Sequence, residues 1–281
     1  MRCSALLTAV KTTQYVDVLE NLLMLGYEDK KLKNTSKLRI LAIGNSFSQD
    51  ATAYIEPMAK SIKYEITVRN LFYPGCSLKE HYDFFVKQSK AYDFERNACS
   101  IDGEKYSLKD ILSSYQWDVI TLQQSSVDSG FVETYEPYLT DIIQIIYRYC
   151  PHVRLWWHRT WAYDYDSDWS GFSNYNKDRS IMFDMICKAS NQVSKKHDLR
   201  VIPTGDYIQW VRDDKKFDSK TGIPLYRDGG HLSLLAGRYL AGLTWYRYLL
   251  EEDVDKISLM PEGLSEETIN RLKRYVKILN F

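Results

Sequence analysis

From Leu38 onward the chain repeats one unit: a short, nearly unbroken apolar run, a turn, then an amphipathic segment. The runs are "RILAIG", "EITVRNLFY", "WDVITLQ", "VRLWWHRTW" and "RVIPTGDYI". Apolar residues on both faces of a strand require cover on both faces, so the alternation implies a parallel sheet between two layers of helices. Helical spacing marks segments near 51–63, 78–92, 134–149, 175–196 and 233–250. The expectation is an α/β domain of three layers built on a five-stranded parallel sheet, where ligands sit beyond the carboxyl ends of the strands. Two stretches, roughly 94–107 and 161–174, exceed a normal connection and are expected to cross the rim of the sheet. Residues 1–37 differ: "VDVLENLLMLGYEDKKLKN" has apolar positions at helical spacing and dissolves into a polar linker, which reads as a helical extension to a main domain over 38–281.

Composition narrows the function. The 281 residues carry 37 basic and 37 acidic side chains with no basic block, so a nucleic-acid partner has no electrostatic support. The five cysteines are scattered without a CxxC pair, against both a zinc site and a disulfide framework, and nothing implies a cofactor. No stretch has the 18 or so apolar residues of a membrane span, and the apolar run near Ala5 is short for a signal peptide, with no convincing cleavage site after it. Compartment and oligomeric state stay open. The 22 tyrosines and 7 tryptophans exceed what a core needs, and such a surplus lines surfaces that stack on flat ligands.

The first run ends in "GNSFSQD", which places Ser46 just past the carboxyl end of the first strand. It is not a phosphate loop, because GxxxxGK[ST] is missing. An isolated serine there, Ser46 or Ser48, is most often a helix cap. A nucleophilic serine needs a base, and five histidines are available. His152 and His197 stand in polar connections; His81 falls on a predicted helix and either is solvated or faces a cleft. His231 lies in "YRDGGHLS", three residues after Asp228 and just before a predicted helix. The paired glycines allow a turn in which the carboxylate reaches the imidazole Nδ1 proton and fixes the tautomer, although such dipeptides also mark ordinary turns.

A serine after the first strand and an Asp-x-x-His just before the last predicted helix, taken together, resemble the SGNH (GDSL-type) hydrolase superfamily. The closest resemblance is to a branch carrying "AIGNSFSQD", "GCSL", "TLQQSSVDSG", "WHRTWAY" and "RDGGHLS". It extends from Leu38 to about Leu250 and implies a three-layer, flavodoxin-like hydrolase fold. It further implies that Ser46 is the nucleophile, His231 the general base and Asp228 its orienting acid. The oxyanion hole would then take backbone donors from Ser46 and Gly75, with Gln123 or Gln124 standing where the superfamily has an asparagine. Gln123 is the first choice because it ends the strand. Asn45 replaces the aspartate of the superfamily motif and keeps a hydrogen-bonding side chain.

The aromatic stretch from Arg154 to Asn176 supplies the expected substrate wall. Trp156 and Trp157 are assigned to the core, and His158, Trp161, Tyr163 and Trp169 to the cleft. Tryptophan and tyrosine among Asp, Asn and Ser suit a sugar better than a fatty chain. The expected activity is therefore a serine esterase that removes acetyl groups from a glycan. Its rivals are a carbohydrate-binding domain without catalysis and a lipase or thioesterase for longer acyl chains. Glycoside hydrolysis ranks low because Asp50, Asp128 and Asp164 show no pairing in their spacing.

Overall fold

The computed structural model of the protein describes residues 38–278. The expected N-terminal helix lies outside the described residues. Seven strands form one sheet: β1 Leu38–Gly44, β2 Ile66–Phe72, β3 Tyr92–Arg96, β4 Cys99–Tyr106, β5 Val119–Leu122, β6 Arg154–His158 and β7 Arg200–Ile202, in the order β4-β3-β2-β1-β5-β6-β7. Five of them, β2, β1, β5, β6 and β7, run parallel, and these are the five expected runs. Their order along the sheet is the 2-1-3-4-5 of flavodoxin-like folds, which reverses direction between β1 and β5.

The other two strands correct the expected count. The stretch 94–107 does not cross the rim; it forms most of an antiparallel hairpin, β3 and β4, on the free edge of β2. Its turn residues Asn97 and Ala98 have φ of 51° and 62°, the left-handed pair of a tight two-residue hairpin turn. Strand β4 is exposed along most of its length and carries Asp102, Glu104 and Lys105, charges of the kind that discourage further pairing on an edge strand.

The described helices are α1 Ser46–Thr52, α2 Ile55–Ser61, α3 Leu78–Val86, α4 Leu108–Ser114, α5 Tyr138–Tyr149, α6 Arg179–Lys196, α7 Thr204–Val211, α8 Ala236–Leu250 and α9 Glu266–Ile278. On one face of the sheet, Leu41, Ile43, Ile120 and Trp157 pack against apolar residues of α3, α4, α5 and α6. On the other, α8 is buried nearly all round and packs against α1, α2, α7 and α9. The last expected strand is mostly helix: β7 stops at Ile202, and α7 begins at Thr204 after Pro203, a residue that cannot donate to a sheet ladder. The stretch 161–174 is irregular, as expected, and runs into a short 3₁₀ turn at Ser170–Tyr175.

Candidate active site

Gly44 closes β1 and Asn45 takes an extended conformation that starts α1. Neither candidate serine is the cap. Asn45 Oδ1 accepts the Phe47 N–H at 3.0 Å, and Ser48 is buried with its hydroxyl shared between Asn45 O and Asn70 Oδ1. Ser46 is thus the first helical residue, half-buried at the carboxyl end of β1, beside the point where the strand order reverses. Its backbone N–H is among those that a helix start leaves without an intrahelical acceptor.

Ser46 lines a cleft of about 380 Å³ with Gly75, Ser126, Trp169, Arg227 and His231. Gly75 follows β2 with φ at +66°, a conformation that favours glycine. A larger depression of about 660 Å³, bordered by Arg200, Glu251 and Lys277, lies at the start of β7 and contains neither serine nor histidine.

The Asp228–His231 turn is closed by three hydrogen bonds. Asp228 Oδ2 accepts from His231 Nδ1 at 2.6 Å, and Oδ1 accepts the N–H groups of His231 at 2.8 Å and Gly230 at 3.2 Å. Burial works to raise the Asp228 carboxyl, but these hydrogen bonds outweigh it and hold the group below its ordinary range. The two glycines serve different needs. Gly229 has φ of +77°, whereas a Cβ on Gly230 would lie 2.6 Å from the Trp169 ring. Trp169 meets the His231 imidazole edge to face, with centroids 4.6 Å apart. Among the described residues no hydrogen bond joins His231 to Ser46, although both line the cleft; such contacts commonly tighten only when substrate binds.

Two sets of contacts hold the histidine turn to the serine helix. Phe47 stacks on Trp161 at 4.2 Å and 4°, and Trp161 Nε1 donates to Gly230 O at 2.9 Å. Asp50, fully buried one helical turn from Ser46, accepts from Arg227 Nη1 with both oxygens, from Arg238 Nε and from the Leu232 N–H. Asp50 is thus not a carboxylate of a glycoside-cleaving pair but a support of the Ser46 helix, and its helical register with Ser46 is the sign of this in the sequence.

The other expected residues are placed differently. Gln123 is buried and does not line the cleft: its Nε2 donates to Asn45 Oδ1 at 2.8 Å, and its Oε1 meets His158 Nδ1 at 2.8 Å. Gln124 is also spent internally, accepting from the Leu78 and Ser125 N–H groups and donating to Thr134. His158, expected on the cleft wall, is at the end of β6 inside the core, where burial pushes its imidazole down to about 3. Trp161 and Tyr163 are 0% and 1% exposed and back the cleft rather than facing it. Their burial follows from the path of the loop, which folds beneath the Asp228–His231 turn: Tyr226 Oη reaches Ala162 O, and the Asp164 N–H reaches Gly229 O. Of the four expected wall residues only Trp169 lines the cleft. His81 is buried rather than solvated, against Tyr92.

A flavodoxin-like sheet with a serine at the β1 rim and a histidine turn before a late helix defines a protein with the fold of the SGNH hydrolases. A putative SGNH hydrolase from Slackia heliotrinireducens superposes with a TM-score of 0.52 at 19% identity, covering 75% of this chain and 98% of its own. An acetylxylan esterase from Geobacillus stearothermophilus, a catalytic variant, does so with a TM-score of 0.50 at 11% identity, covering 79% and 95%. Within that fold, the chain belongs to the DUF4886 family, a domain of unknown function, whose profile matches residues 39–276. A crystal structure of a DUF4886 protein from Bacteroides uniformis matches with a TM-score of 0.78 at 28% identity, over 85% of this chain and 93% of that one. No curated protein matches the chain in sequence.

Proposed function

We propose that the protein is a serine esterase that removes short acyl groups, acetyl foremost, from a carbohydrate. The observation that carries this reading is the meeting of Ser46 with the hydrogen-bonded Asp228–His231 pair in one cleft at the carboxyl edge of the sheet. Neutral His231 takes the Ser46 proton at Nε2 as Oγ attacks the acyl carbonyl carbon, and Asp228 stabilises the imidazolium through Nδ1. The carbonyl oxygen becomes an oxyanion, and the N–H groups of Ser46 and Gly75 are its backbone donors. Collapse breaks the ester C–O bond, and His231 returns the proton to the departing sugar oxygen. Water activated by His231 then releases the acid from the acyl-serine.

The substrate assignment rests on the lining of the cleft. Asn45, Gln49, Ser126 and Arg227 are polar, Phe72, Pro74 and Trp169 supply the apolar surface with no open-chain aliphatic side chain among them, and the volume is small. A long acyl chain calls for a mostly aliphatic channel. That the fold is shared with an acetylxylan esterase is in keeping with this choice.

The test is hydrolysis of nitrophenyl acetate, butyrate and octanoate and of acetylated xylo-oligosaccharides by the wild type and by Ser46→Ala. Acetate should be preferred to octanoate, and Ser46→Ala should abolish turnover while keeping the thermal transition. Retained activity in Ser46→Ala would remove the triad. Preference for octanoate would point to a lipase, and sugar binding without any turnover to a binding domain.

A further inference from the structure

We propose that Ser126 is a catalytic residue: its hydroxyl is the third donor to the oxyanion, released for that purpose by Tyr163 behind it. The proposal rests on the esterase reading and assigns a role that the two glutamines of the same loop do not fill.

Ser126 follows β5, the strand beside β1, and is the polar side chain of this loop that lines the cleft with Ser46, Gly75 and His231. Gln123 and Gln124 point their amides into the body of the protein, as described above. Ser126 Oγ lies 2.8 Å from Tyr163 Oη, and Tyr163 has no other side-chain hydroxyl partner among the described residues. Burial pushes the Tyr163 phenol up to about 12, so it remains a donor throughout the range in which an esterase works. When Tyr163 donates to Ser126 Oγ, the Ser126 proton is left to point elsewhere. An oxyanion forming in the cleft favours this direction of the chain, Tyr163 to Ser126 to oxyanion, and each link strengthens the other.

Donors to a transition state act best when already in place. The loop is braced along its length for this. Ser125 Oγ donates to Asp128, Ser129 Oγ to Ser126 O, Tyr175 Oη to Val127 O, and Tyr135 Oη to Ser129 O. None of these bonds uses the Ser126 hydroxyl, so they hold its backbone without competing for its proton.

The experiment measures kcat and KM on nitrophenyl acetate for Ser126→Ala, Ser126→Thr and Tyr163→Phe beside the wild type and Ser46→Ala. It adds inhibition by an aryl trifluoromethyl ketone, which forms an oxyanion on the nucleophile. Ser126→Ala should lower kcat about 100-fold with KM changed less than about threefold, and weaken the ketone by a similar factor. Tyr163→Phe, which keeps the ring against Trp169 and Phe172, should lose roughly tenfold, the scale of one hydrogen bond. Ser126→Thr, which retains a hydroxyl, should recover most of the loss. If turnover depends on Ser46 while Ser126→Ala keeps kcat within about threefold and binds the ketone as the wild type does, the assignment of Ser126 is overturned and the esterase stands. If turnover is absent in the wild type or survives Ser46→Ala, both readings fall.

Discussion

Asn45 carries three hydrogen bonds on one buried side chain: Oδ1 accepts from Phe47 N and Gln123 Nε2, and Nδ2 donates to Cys76 O. The third bond requires an amide rather than a carboxylate at this position. An aspartate could cap α1 and accept from Gln123, but it has no proton for Cys76 O and would set a charge against that carbonyl. Asn45 thus ties the Ser46 turn to the loop that carries Gly75, and both loops supply proposed oxyanion donors. Asn45→Asp should destabilise the fold by about 2 kcal/mol, the cost of losing one buried partner, and lower kcat because the two loops lose their tie. Urea unfolding with parallel kinetics checks this; an unchanged midpoint and kcat would show that the Cys76 bond is idle. Side-chain roles of this kind were hardly legible in the sequence. Asn45 was visible as a hydrogen-bonding side chain, but two of its three partners lie 31 and 78 residues away and no local pattern announces them.

Among the elements, the parallel strands were legible because burial on both faces writes itself as a continuous apolar run. The β3–β4 hairpin was not, because β4 is largely exposed and has no apolar side to show. The aromatic loop misled for the opposite reason: tryptophan and tyrosine outside a strand resemble a ligand wall, yet Trp161 and Tyr163 were needed to support the histidine turn from beneath. The short helix α1 depends on long-range support. At seven residues it has too few internal bonds to stand alone, and it is held through Asp50 to Arg227, Arg238 and Leu232. Replacing Asp50 by asparagine leaves two guanidinium groups facing a neutral partner. It should destabilise the protein by about 3 kcal/mol, typical of a broken buried ion pair, and reduce kcat with it because Ser46 and His231 are positioned through the same contacts. Equilibrium unfolding and nitrophenyl acetate kinetics on Asp50→Asn decide the point. Wild-type stability in that variant would mean that Asp50 is not the anchor.

At the scale of the whole molecule, two buried histidines make stability depend on pH. Burial pushes His81 and His158 each down to about 3, while an unfolded chain holds such groups near an ordinary value of about 6.5. The native state therefore refuses protons that the unfolded chain accepts. Stability is complete above pH 6.5 and falls as the pH drops from there toward 3, by up to about 1.4 kcal/mol per pH unit for each histidine. Over the interval from pH 7 to 5 the imidazoles act against Glu95 and Asp206, whose carboxyls burial raises, while depressed carboxyls such as Asp228 act only at lower pH. Urea midpoints across that interval should fall, with a loss of roughly 4 kcal/mol as the upper limit. Equal midpoints at pH 7 and pH 5 would contradict it. The order of the motifs along the chain was enough to bring Ser46, Gly75 and His231 to one edge, since the fold type decides which loops share a rim. What lines that rim had to be seen.

The ion pairs of Asp50 also order events in time. Its partners Arg227 and Arg238 follow it by 177 and 188 residues, so during synthesis the carboxylate waits without them until those residues have left the ribosome. Until then α1 lacks its ion pairs and the proposed nucleophile has no base. On the proposed function, a fragment cut before Arg227 lacks both these ion pairs and His231, and should therefore hydrolyse no ester.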